Sequence, residues 1–321
     1  MSPVTHGFAR RLRAALLEPE TPLAAFEIRS SSVGVVRLGR EGRGLTLRAA
    51  ASLELPEGCL ALSVSEPNVK SPQAFQDTLA SLAERVGLGE GERVGLVLPD
   101  PVARVALVPR SELRALRRGD LDELIRFRLR RLVPFDIKES QVAHVELPPG
   151  PGRETQSLVG AIALAVLEPY EAPLRALGFE PGLVELSGLT LLRSSGLEAG
   201  GDELLVNWDH GYVSLFLTRD GQPLLLRTLT GEPASRPADV AREIASTVLY
   251  HRERLDGTPL TGARVRSGVL PLASATLLVA EAAGVEATAV AAWGVPGWDD
   301  ADAALRQALA GAAACVLGRA A

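Results

Sequence analysis

Residues that hold metals or cross-link chains are scarce in this sequence. Its 321 residues include two cysteines and four histidines, with no CxxC pair and no histidine cluster, which excludes a zinc motif and a disulfide framework. The longest apolar candidate, 303–316, is interrupted by Arg306, Gln307 and Gly311, so no membrane span is expected. A formal net charge of −5 argues against a protein that coats nucleic acid, and no nucleic-acid partner is predicted.

The sequence also lacks the patterns of a secretory signal and of common catalytic sites. The N-terminus carries Arg10, Arg11 and Arg13 but no apolar region with a cleavage site, so the expected compartment is the cytoplasm. No GxSxG, HExxH or GxxxxGK[ST] string occurs. We interpret His210 as a turn residue and His251 as an exposed helix residue. No catalytic residue and no metal ligand is predicted.

Two segments about 180 residues apart share one layout. Residues 24–38 and 204–221 each contain an apolar strand that ends in an acid or amide, a tight polar turn, and a second alternating strand. Paired hairpins of this kind form the phosphate clamp of actin-like folds, in which turn amides from each half hold opposite sides of a nucleotide's phosphates. The repeat therefore predicts a two-lobed scaffold.

The remaining segments alternate between helix and strand patterns, which predicts an α/β fold. A helix is expected over 73–86, a buried strand over 157–167, and an alanine-rich closing helix over 303–319. The length is sufficient for two cores. These patterns therefore predict an α/β fold with two lobes.

One helical region, 113–132, is crowded with arginine. From Arg110 to Lys138 there are nine basic and five acidic side chains, a local net charge of +4. This asymmetry is typical either of a solvated helix face or of a docking face for an acidic partner or lipid headgroups. The candidate partner-binding residues are Arg114, Arg117, Arg118, Arg126, Arg128, Arg130 and Arg131.

Seven motifs follow one another along the chain: SSSVGVVRL, VGLVLPD, VALVP, LVPFD, LEPYEAPLRALGFEPGLVELSGLTLLR, DGQPLLLRTL and EIASTVLYHRE. They occur in the order found in the PilM family, and the chain resembles that family over roughly residues 22–319. PilM is the cytoplasmic actin-like component of type IV pilus assembly and is related to the cell-division protein FtsA and to the cytoplasmic part of the type II secretion protein GspL.

The resemblance implies an α/β fold with two actin-like lobes, each a ribonuclease H-like repeat, and a small inserted α/β subdomain in the first lobe. It divides the chain into four parts. An N-terminal extension takes 1–21, and the first lobe takes 22–104 and 184–200. The inserted subdomain takes 105–183, where FtsA and PilM differ from actin. The second lobe takes 201–321.

The resemblance also implies partners and a place in the cell. PilM-like proteins lie beneath the inner membrane and bind a short N-terminal cytoplasmic peptide of the membrane protein PilN. The groove for that peptide is expected between the first lobe and the inserted subdomain. Assembly ATPases and further copies of the chain are additional candidate partners, and a GspL-like role in type II secretion is an alternative.

The first clamp departs from the family pattern. The family has Asp-Ile-Gly-Ser-Ser-Ser-Val-Lys where this chain has residues 27–34, Glu-Ile-Arg-Ser-Ser-Ser-Val-Gly. The extra methylene of Glu27 displaces its carboxylate from a metal-water shell. Arg29 replaces a glycine that lets the backbone approach a phosphate, and Gly34 replaces a cation.

The second clamp and the adenosine-side motif are altered as well. The expected Asp-x-Gly is Asn207-Trp208-Asp209, so an amide replaces a base and a carboxylate takes the place beside the phosphates. A Gly-Gly pair is reduced to Ser267-Gly268. The predicted degenerate nucleotide site comprises Glu27, Arg29, Ser30, Ser31, Ser32, Asn207, Asp209, Gly211 and Gly268.

These changes predict a scaffold that hydrolyses nothing and has no cofactor. Two alternatives stay open. In the first, the Ser30–Ser32 hydroxyls and Arg29 retain weak binding of ATP and magnesium, or support an active actin-like ATPase. In the second, the chain forms FtsA-like polymers, although it carries no amphipathic tail after residue 319.

Overall fold

A computed structural model describes residues 22–42, 44–113, 120–148, 154–194, 201–290 and 295–317. The predicted N-terminal extension, 1–21, lies outside these residues. The strands are β1 (Ala24–Ile28), β2 (Ser32–Glu41), β3 (Gly44–Glu54), β4 (Arg93–Leu98), β5 (Arg104–Pro109), β6 (Ser140–Glu146), β7 (Gln156–Ala163), β8 (Glu180–Leu186), β9 (Asp202–Asp209), β10 (Tyr212–Arg219), β11 (Gln222–Thr230), β12 (Leu260–Ser267) and β13 (Ala287–Ala289).

The helices connect these strands and cover the sheets. They are α1 (Pro72–Arg85), α2 (Asp120–Leu129), α3 (Leu164–Ala176), α4 (Ser187–Ser194), α5 (Glu232–Ser235), α6 (Pro237–Arg254), α7 (Leu272–Ala283), α8 (Ala303–Ala308) and α9 (Ala310–Leu317). Within the described part of the chain, none has the length and hydropathy needed to cross a bilayer.

Two five-stranded sheets share one topology. The first has the order β3-β2-β1-β4-β8 and the second the order β11-β10-β9-β12-β13. In the first, β1 pairs antiparallel with β2 and parallel with β4; in the second, β9 pairs in the same way with β10 and β12. The two copies confirm the two-lobed α/β fold predicted from the repeated hairpins.

The hairpins bring equivalent residues to equivalent places. Glu27 lies opposite Gly34 at the carboxyl end of β1, and Asn207 lies opposite Ser214 near the carboxyl end of β9. Because β1 and β9 are central strands covered on both faces, all five residues of β1 and all eight of β9 are buried. The polar side chains at their ends are therefore held in the interior.

The first sheet is covered by helices on both faces. Phe75 and Leu79 of α1 and Tyr170 of α3 pack on one face. Trp298 and Leu309, from the last part of the chain, pack on the other. Helix α9 contacts β1, β4 and α4, so residues 295–317 pack on the first sheet although the sequence assigned 201–321 to the second lobe.

The inserted subdomain is a three-stranded antiparallel sheet, β5-β7-β6, with α2 packed on one face. Ile125 and Leu129 of α2 share a core with Val108 and Val159 of the sheet. From residue 164 onward the chain packs on the first sheet again through α3 and β8, so the observed inserted sheet and helix end at Ala163 rather than at the predicted 183.

Two predicted elements differ from the structure. The buried strand expected over 157–167 ends at Ala163, because Leu164 begins helix α3. The closing helix expected over 303–319 is two helices, which meet at Leu309. At Ala163 an uninterrupted apolar run hid the change of backbone conformation, and at Leu309 the alanine-rich composition on both sides hid the break between the two helices.

The prediction that His251 is an exposed helix residue is wrong. Its side chain is completely buried, and Nε2 lies 2.7 Å from Oδ2 of Asp202, the first residue of β9. Asp202 also accepts two hydrogen bonds from Arg219 and one from the amide of Thr258. This polar cluster joins α6 to one end of the second sheet.

Candidate functional site

The turns of the two hairpins meet between the lobes. Arg29 follows β1, Asp209 ends β9, and their side chains form a bidentate ion pair: Nε donates to Oδ2 at 2.9 Å and Nη2 to Oδ1 at 3.0 Å. The Ser30 hydroxyl donates to the carbonyl of His210 at 2.6 Å. Both contacts cross from the first lobe to the second.

A second guanidinium, that of Arg266 near the end of β12, lies completely buried beneath this pair. Its Nη2 donates to Oε1 of Glu27 at 2.9 Å, which is another contact between the lobes. Its Nη1 donates to Oδ1 of Asn207 at 3.1 Å and to Oδ2 of Asp209 at 3.4 Å. Nε donates to the carbonyl of Gln307 at 3.0 Å, so all three guanidinium nitrogens have acceptors.

Asp100, two residues after the end of β4, extends the cluster toward the inserted subdomain. Its Oδ2 accepts from Nδ2 of Asn207 at 2.9 Å, and its Oδ1 accepts from the amide of Gly188 at 2.7 Å. Glu27 accepts from the amide of Ala312 at 2.9 Å. We call the six side chains that connect the lobes in this way the interlobe network: Glu27, Arg29, Asp100, Asn207, Asp209 and Arg266.

Burial and ion pairing shift the pKa values of the network's carboxyl groups in opposite directions. Burial raises the pKa of Glu27, against the opposing effect of Arg266. Burial also raises the pKa of Asp100, despite hydrogen bonds from Ser214, Gly188 and Asn207. At Asp209 the same desolvation is outweighed by Arg266 and Arg29, and the pKa lies below its usual value.

Arg266 is held in the charged form. Desolvation acts to lower the pKa of its guanidinium, but Glu27 and Asp209 outweigh it and raise the pKa. Two guanidiniums thus face three acids, of which Asp209 is the one whose pKa is lowered.

This site does not fit the Mg-nucleotide that an actin-like clamp holds. A Cβ atom at Gly268 would lie 1.7 Å from Nη2 of Arg29, so the guanidinium fills the space beside this glycine. The amide of Gly268 donates to the carbonyl of Trp208, and the amide of His210 donates to Asp209. Amides that would face phosphates are used within the chain.

The remaining predicted clamp residues lie in the turns and strands of the two hairpins. Ser31 is exposed, and Ser32 begins β2 with its carbonyl accepting the amide of Arg29. Gly211 adopts φ +79° in the second hairpin's turn, a conformation that favours glycine. A Cβ at Gly34 would lie 2.0 Å from Cδ2 of Leu309, so an apolar side chain occupies the place of the expected cation.

Sequence reasoning identified four of the six network residues and missed Arg266 and Asp100. Arg266 lies in a strand whose alternation did not single it out. Its acidic partners, Glu27 and Asp209, are distant from it in the sequence, so no local pattern marked it as a member of the site. Among the described residues, no group of three or more His, Cys, Asp or Glu side chains is arranged to hold a metal ion.

The arginines of the arginine-rich region differ in their contacts. Arg114, Arg117 and Arg118 lie outside the described residues. Arg126 donates to the carbonyls of Ile137 and Ser140, and Arg128 forms an ion pair with Glu112 at 3.3 Å. Arg130 and Arg131 are exposed, and the Arg131 guanidinium lies 6.0 Å from the ring centroid of exposed Phe127. Neither a solvated face nor a docking face is favoured by these contacts.

The inserted sheet presents an apolar face away from α2. Alternate strand residues point to opposite faces, and the face toward α2 is buried. On the other face, Leu107, Leu158 and Val145 form one row across the three strands, and Val145 is 53% exposed. We call the exposed apolar side the inserted-sheet face; it comprises Val105, Leu107, Ala143, Val145 and Leu158.

Comparisons with known proteins give likeness of structure. No protein-family model and no curated protein matches the chain. A chain of the PilM–PilN type IV pilus biogenesis complex is similar with a TM-score of 0.74 at 20% identity, with 94% of this chain and 98% of that chain covered. A Bacteroides thetaiotaomicron protein with an actin-like ATPase fold and unknown function has a TM-score of 0.50 at 8% identity, covering 84% and 92%.

This chain has the actin-like fold. The cytoplasmic domain of EpsL, an inner-membrane component of the type II secretion system of Vibrio cholerae, is also similar, with a TM-score of 0.50 at 13% identity, covering 90% of this chain and 93% of that chain. The predicted resemblance to PilM and to the cytoplasmic part of GspL is confirmed at the level of the fold.

Proposed function

We propose that this actin-like chain is a non-catalytic scaffold of an inner-membrane assembly platform for a type IV pilus, located on the cytoplasmic side. The observation that carries the proposal is the similarity to the PilM–PilN complex over 94% of the chain. Because 94% of the chain is covered, the similarity includes most of the inserted subdomain.

The interlobe network supports the absence of catalysis. Hydrolysis of a nucleotide in an actin-like cleft requires a magnesium shell, space for phosphates and a group that orients water. In this chain Asn207 is bonded to Asp100 and Arg266, and Arg29 fills the space beside Gly268. The side chains at these places are committed to each other, which favours structural over chemical use of the cleft.

The inserted-sheet face is the surface that best suits the cytoplasmic N-terminal peptide of a PilN-like membrane protein. Its row of Leu107, Leu158 and Val145 offers apolar area without charged side chains, and burial of such area drives peptide binding. Val105 also lines a cavity of about 90 Å³ together with Leu186 of the first lobe and Phe216 of the second. The face therefore continues toward the lobes.

Peptide binding is the direct test. A fluorescent peptide with the sequence of the cytoplasmic N-terminus of a PilN-like membrane protein from the same genome is titrated with the full chain, and its anisotropy is followed. We expect saturable binding that a scrambled peptide does not reproduce. Equal binding of the two peptides would overturn the assignment of the partner.

The rival function is that of an active actin-like ATPase. Incubation of the purified chain with ATP and magnesium, followed by phosphate release, separates the two. We expect the unmodified chain and Asn207→Ala to release phosphate at the same rate. A rate that Asn207→Ala abolishes would establish catalysis and would contradict the scaffold.

A role in type II secretion is the second candidate, favoured by the similarity to the EpsL cytoplasmic domain. The two roles differ in their membrane partner. The same anisotropy titration with a peptide from the cytoplasmic segment of a type II secretion membrane protein from the same genome decides between them, because only the true partner binds more tightly than its scrambled form.

A further inference from the structure

The interlobe network consists of pairs whose members lie on different lobes. Arg29 pairs with Asp209, Glu27 with Arg266, and Asp100 with Asn207. In each pair one residue lies at or just beyond the carboxyl end of a strand of the first sheet, and the other lies near the end of a strand of the second sheet. The lobes are thus connected at three points by the chain's own side chains.

The network is buried and its polar groups are satisfied. Glu27, Asn207, Asp209 and Arg266 have no exposed surface, and Arg29 is 12% exposed. Each of the three acids also accepts a backbone amide. The donors are Ala312, Gly188 and His210, respectively, for Glu27, Asp100 and Asp209. Fully satisfied buried networks are rigid, and separating their members leaves charges without partners.

Small residues preserve the geometry. Gly268 lies where a Cβ atom would be 1.7 Å from Nη2 of Arg29 and 2.8 Å from Oδ1 of Asp209. Gly311 lies where a Cβ atom would be 2.7 Å from Oε1 of Glu27. Each glycine therefore leaves room for one ion pair of the network.

From these contacts we infer that the interlobe network is a built-in latch: it holds the two lobes closed without a ligand, in the place where an actin-like clamp uses a nucleotide. Opening the lobes requires separation of Arg29 from Asp209 and of Arg266 from Glu27. The cleft between the lobes then stays closed, and the chain does not cycle between open and closed states with nucleotide. This inference does not depend on which partner the scaffold binds.

Gly268→Ala breaks the latch without changing any charge. The new methyl group displaces the Arg29 guanidinium, and the backbone of Gly268 lies outside the left-handed region, so alanine fits its conformation. Gly262→Ala is the matched control, in strand β12 that Gly268 directly follows, because its Cβ would meet only Oε1 of Glu203, at 3.7 Å. Arg29→Met is a second variant that removes the guanidinium itself.

Hydrogen exchange of the purified chain, without nucleotide or partner, reports on the latch. The amides of Gly188 and Ala312 donate to network carboxylates, and those of Val213 and Leu215 in the second sheet serve as internal standards for retained folding. In Gly268→Ala and Arg29→Met we expect exchange at Gly188 and Ala312 to accelerate at least tenfold, with no change at the standards. We expect Gly262→Ala to leave the exchange rates of all four amides unchanged.

Small-angle X-ray scattering in solution measures the radius of gyration, which increases when the two lobes separate. The radius of gyration of Gly268→Ala and Arg29→Met should exceed that of the unmodified chain, and adding ATP with magnesium to the unmodified chain should leave it constant. Unchanged exchange and unchanged scattering in both variants, with the standards protected, would overturn the latch. Compaction of the unmodified chain on addition of nucleotide would overturn it as well.

Discussion

Arg29 and Asp209 form a two-bond ion pair although they lie 180 residues apart and on different lobes. Each occupies the third position of its clamp motif, Glu27-Ile28-Arg29 in one lobe and Asn207-Trp208-Asp209 in the other. A glycine is expected at both positions in the resembling family. The two replacements have opposite charge and satisfy each other, so they are best understood as one change rather than two separate losses.

The first prediction concerns the buried guanidinium of Arg266. Arg266→Met leaves Glu27 and Asp209 without their common partner, and removal of one member of a buried ion pair costs about 3–5 kcal/mol. We expect a loss of that size in the free energy of unfolding, measured by urea denaturation. Arg264→Met, in the same strand with only a 3.4 Å bond to Thr288, serves as the control and should change stability little. Equal losses in the two variants would contradict the assigned role.

The second prediction concerns a variant in which positions 29 and 209 carry the glycine expected in the resembling family. Arg29→Gly combined with Asp209→Gly removes both members of one ion pair and empties the space beside Gly268, where turn amides can then face phosphates. We expect this double variant to gain binding of ATP with magnesium, seen as a rise in Tm. At a ligand concentration about 100 times Kd the gain in stability is about 2.7 kcal/mol.

Two proteins serve as controls for that titration. The unmodified chain should show no shift with ATP and magnesium. Arg29→Gly alone retains the Asp209 carboxylate beside the phosphates and should shift less than the double variant. A shift in the unmodified chain as large as that in the double variant would show that the ion pair does not block the site.

The fold was predictable because its signals are local and repeated. The two hairpins have the same alternation and the same polar turn, and both form the central strands of a five-stranded sheet. The limit of strand β7 was not predictable, because the apolar run continues past Ala163 into helix α3 with no change in composition. Backbone conformation there depends on packing against the first sheet.

The candidate site was predictable only in part, for a physical reason. Glu27, Arg29, Asn207 and Asp209 could be identified because they occupy motif positions. Arg266 could not, since its burial depends on acids that are distant in sequence, with Glu27 239 residues away. The burial of His251 was also missed: its spacing from Ile244 and Val248 places it on the apolar side of helix α6, but its partner Asp202 lies 49 residues earlier in the chain.

The third prediction is a pH dependence that arises from Asp202. Burial would raise the pKa of its carboxyl, but hydrogen bonds from Arg219 and His251 outweigh that effect and lower the pKa from 3.8 to about 2. Because the folded pKa is the lower one, the stabilisation is fully present above pH 3.8 and is lost as the pH falls toward 2. The shift corresponds to about 2 kcal/mol.

Urea denaturation at several pH values between 5 and 2 checks this prediction. The free energy of unfolding of Asp202→Asn should be lower than that of the unmodified chain at pH 5, and the difference should shrink as the pH falls. Asp300→Asn, at an exposed turn position, provides the control and should follow the unmodified chain throughout. A constant difference across the range would rule out Asp202 as the source of the pH dependence.

The fourth prediction addresses the partner surface. Val145→Glu places a carboxylate on the inserted-sheet face, 53% exposed in the free chain, where a bound peptide would bury it without a partner. We expect the affinity for the PilN-like peptide to fall roughly tenfold, equivalent to about 1.4 kcal/mol, with little change in stability because the site is exposed. Leu277→Glu makes the same kind of change at a side chain that is 61% exposed on the second lobe, and it should bind the peptide as the unmodified chain does. Equal weakening by the two substitutions would mean that general negative charge governs affinity, and the peptide would then have to be assigned to another surface.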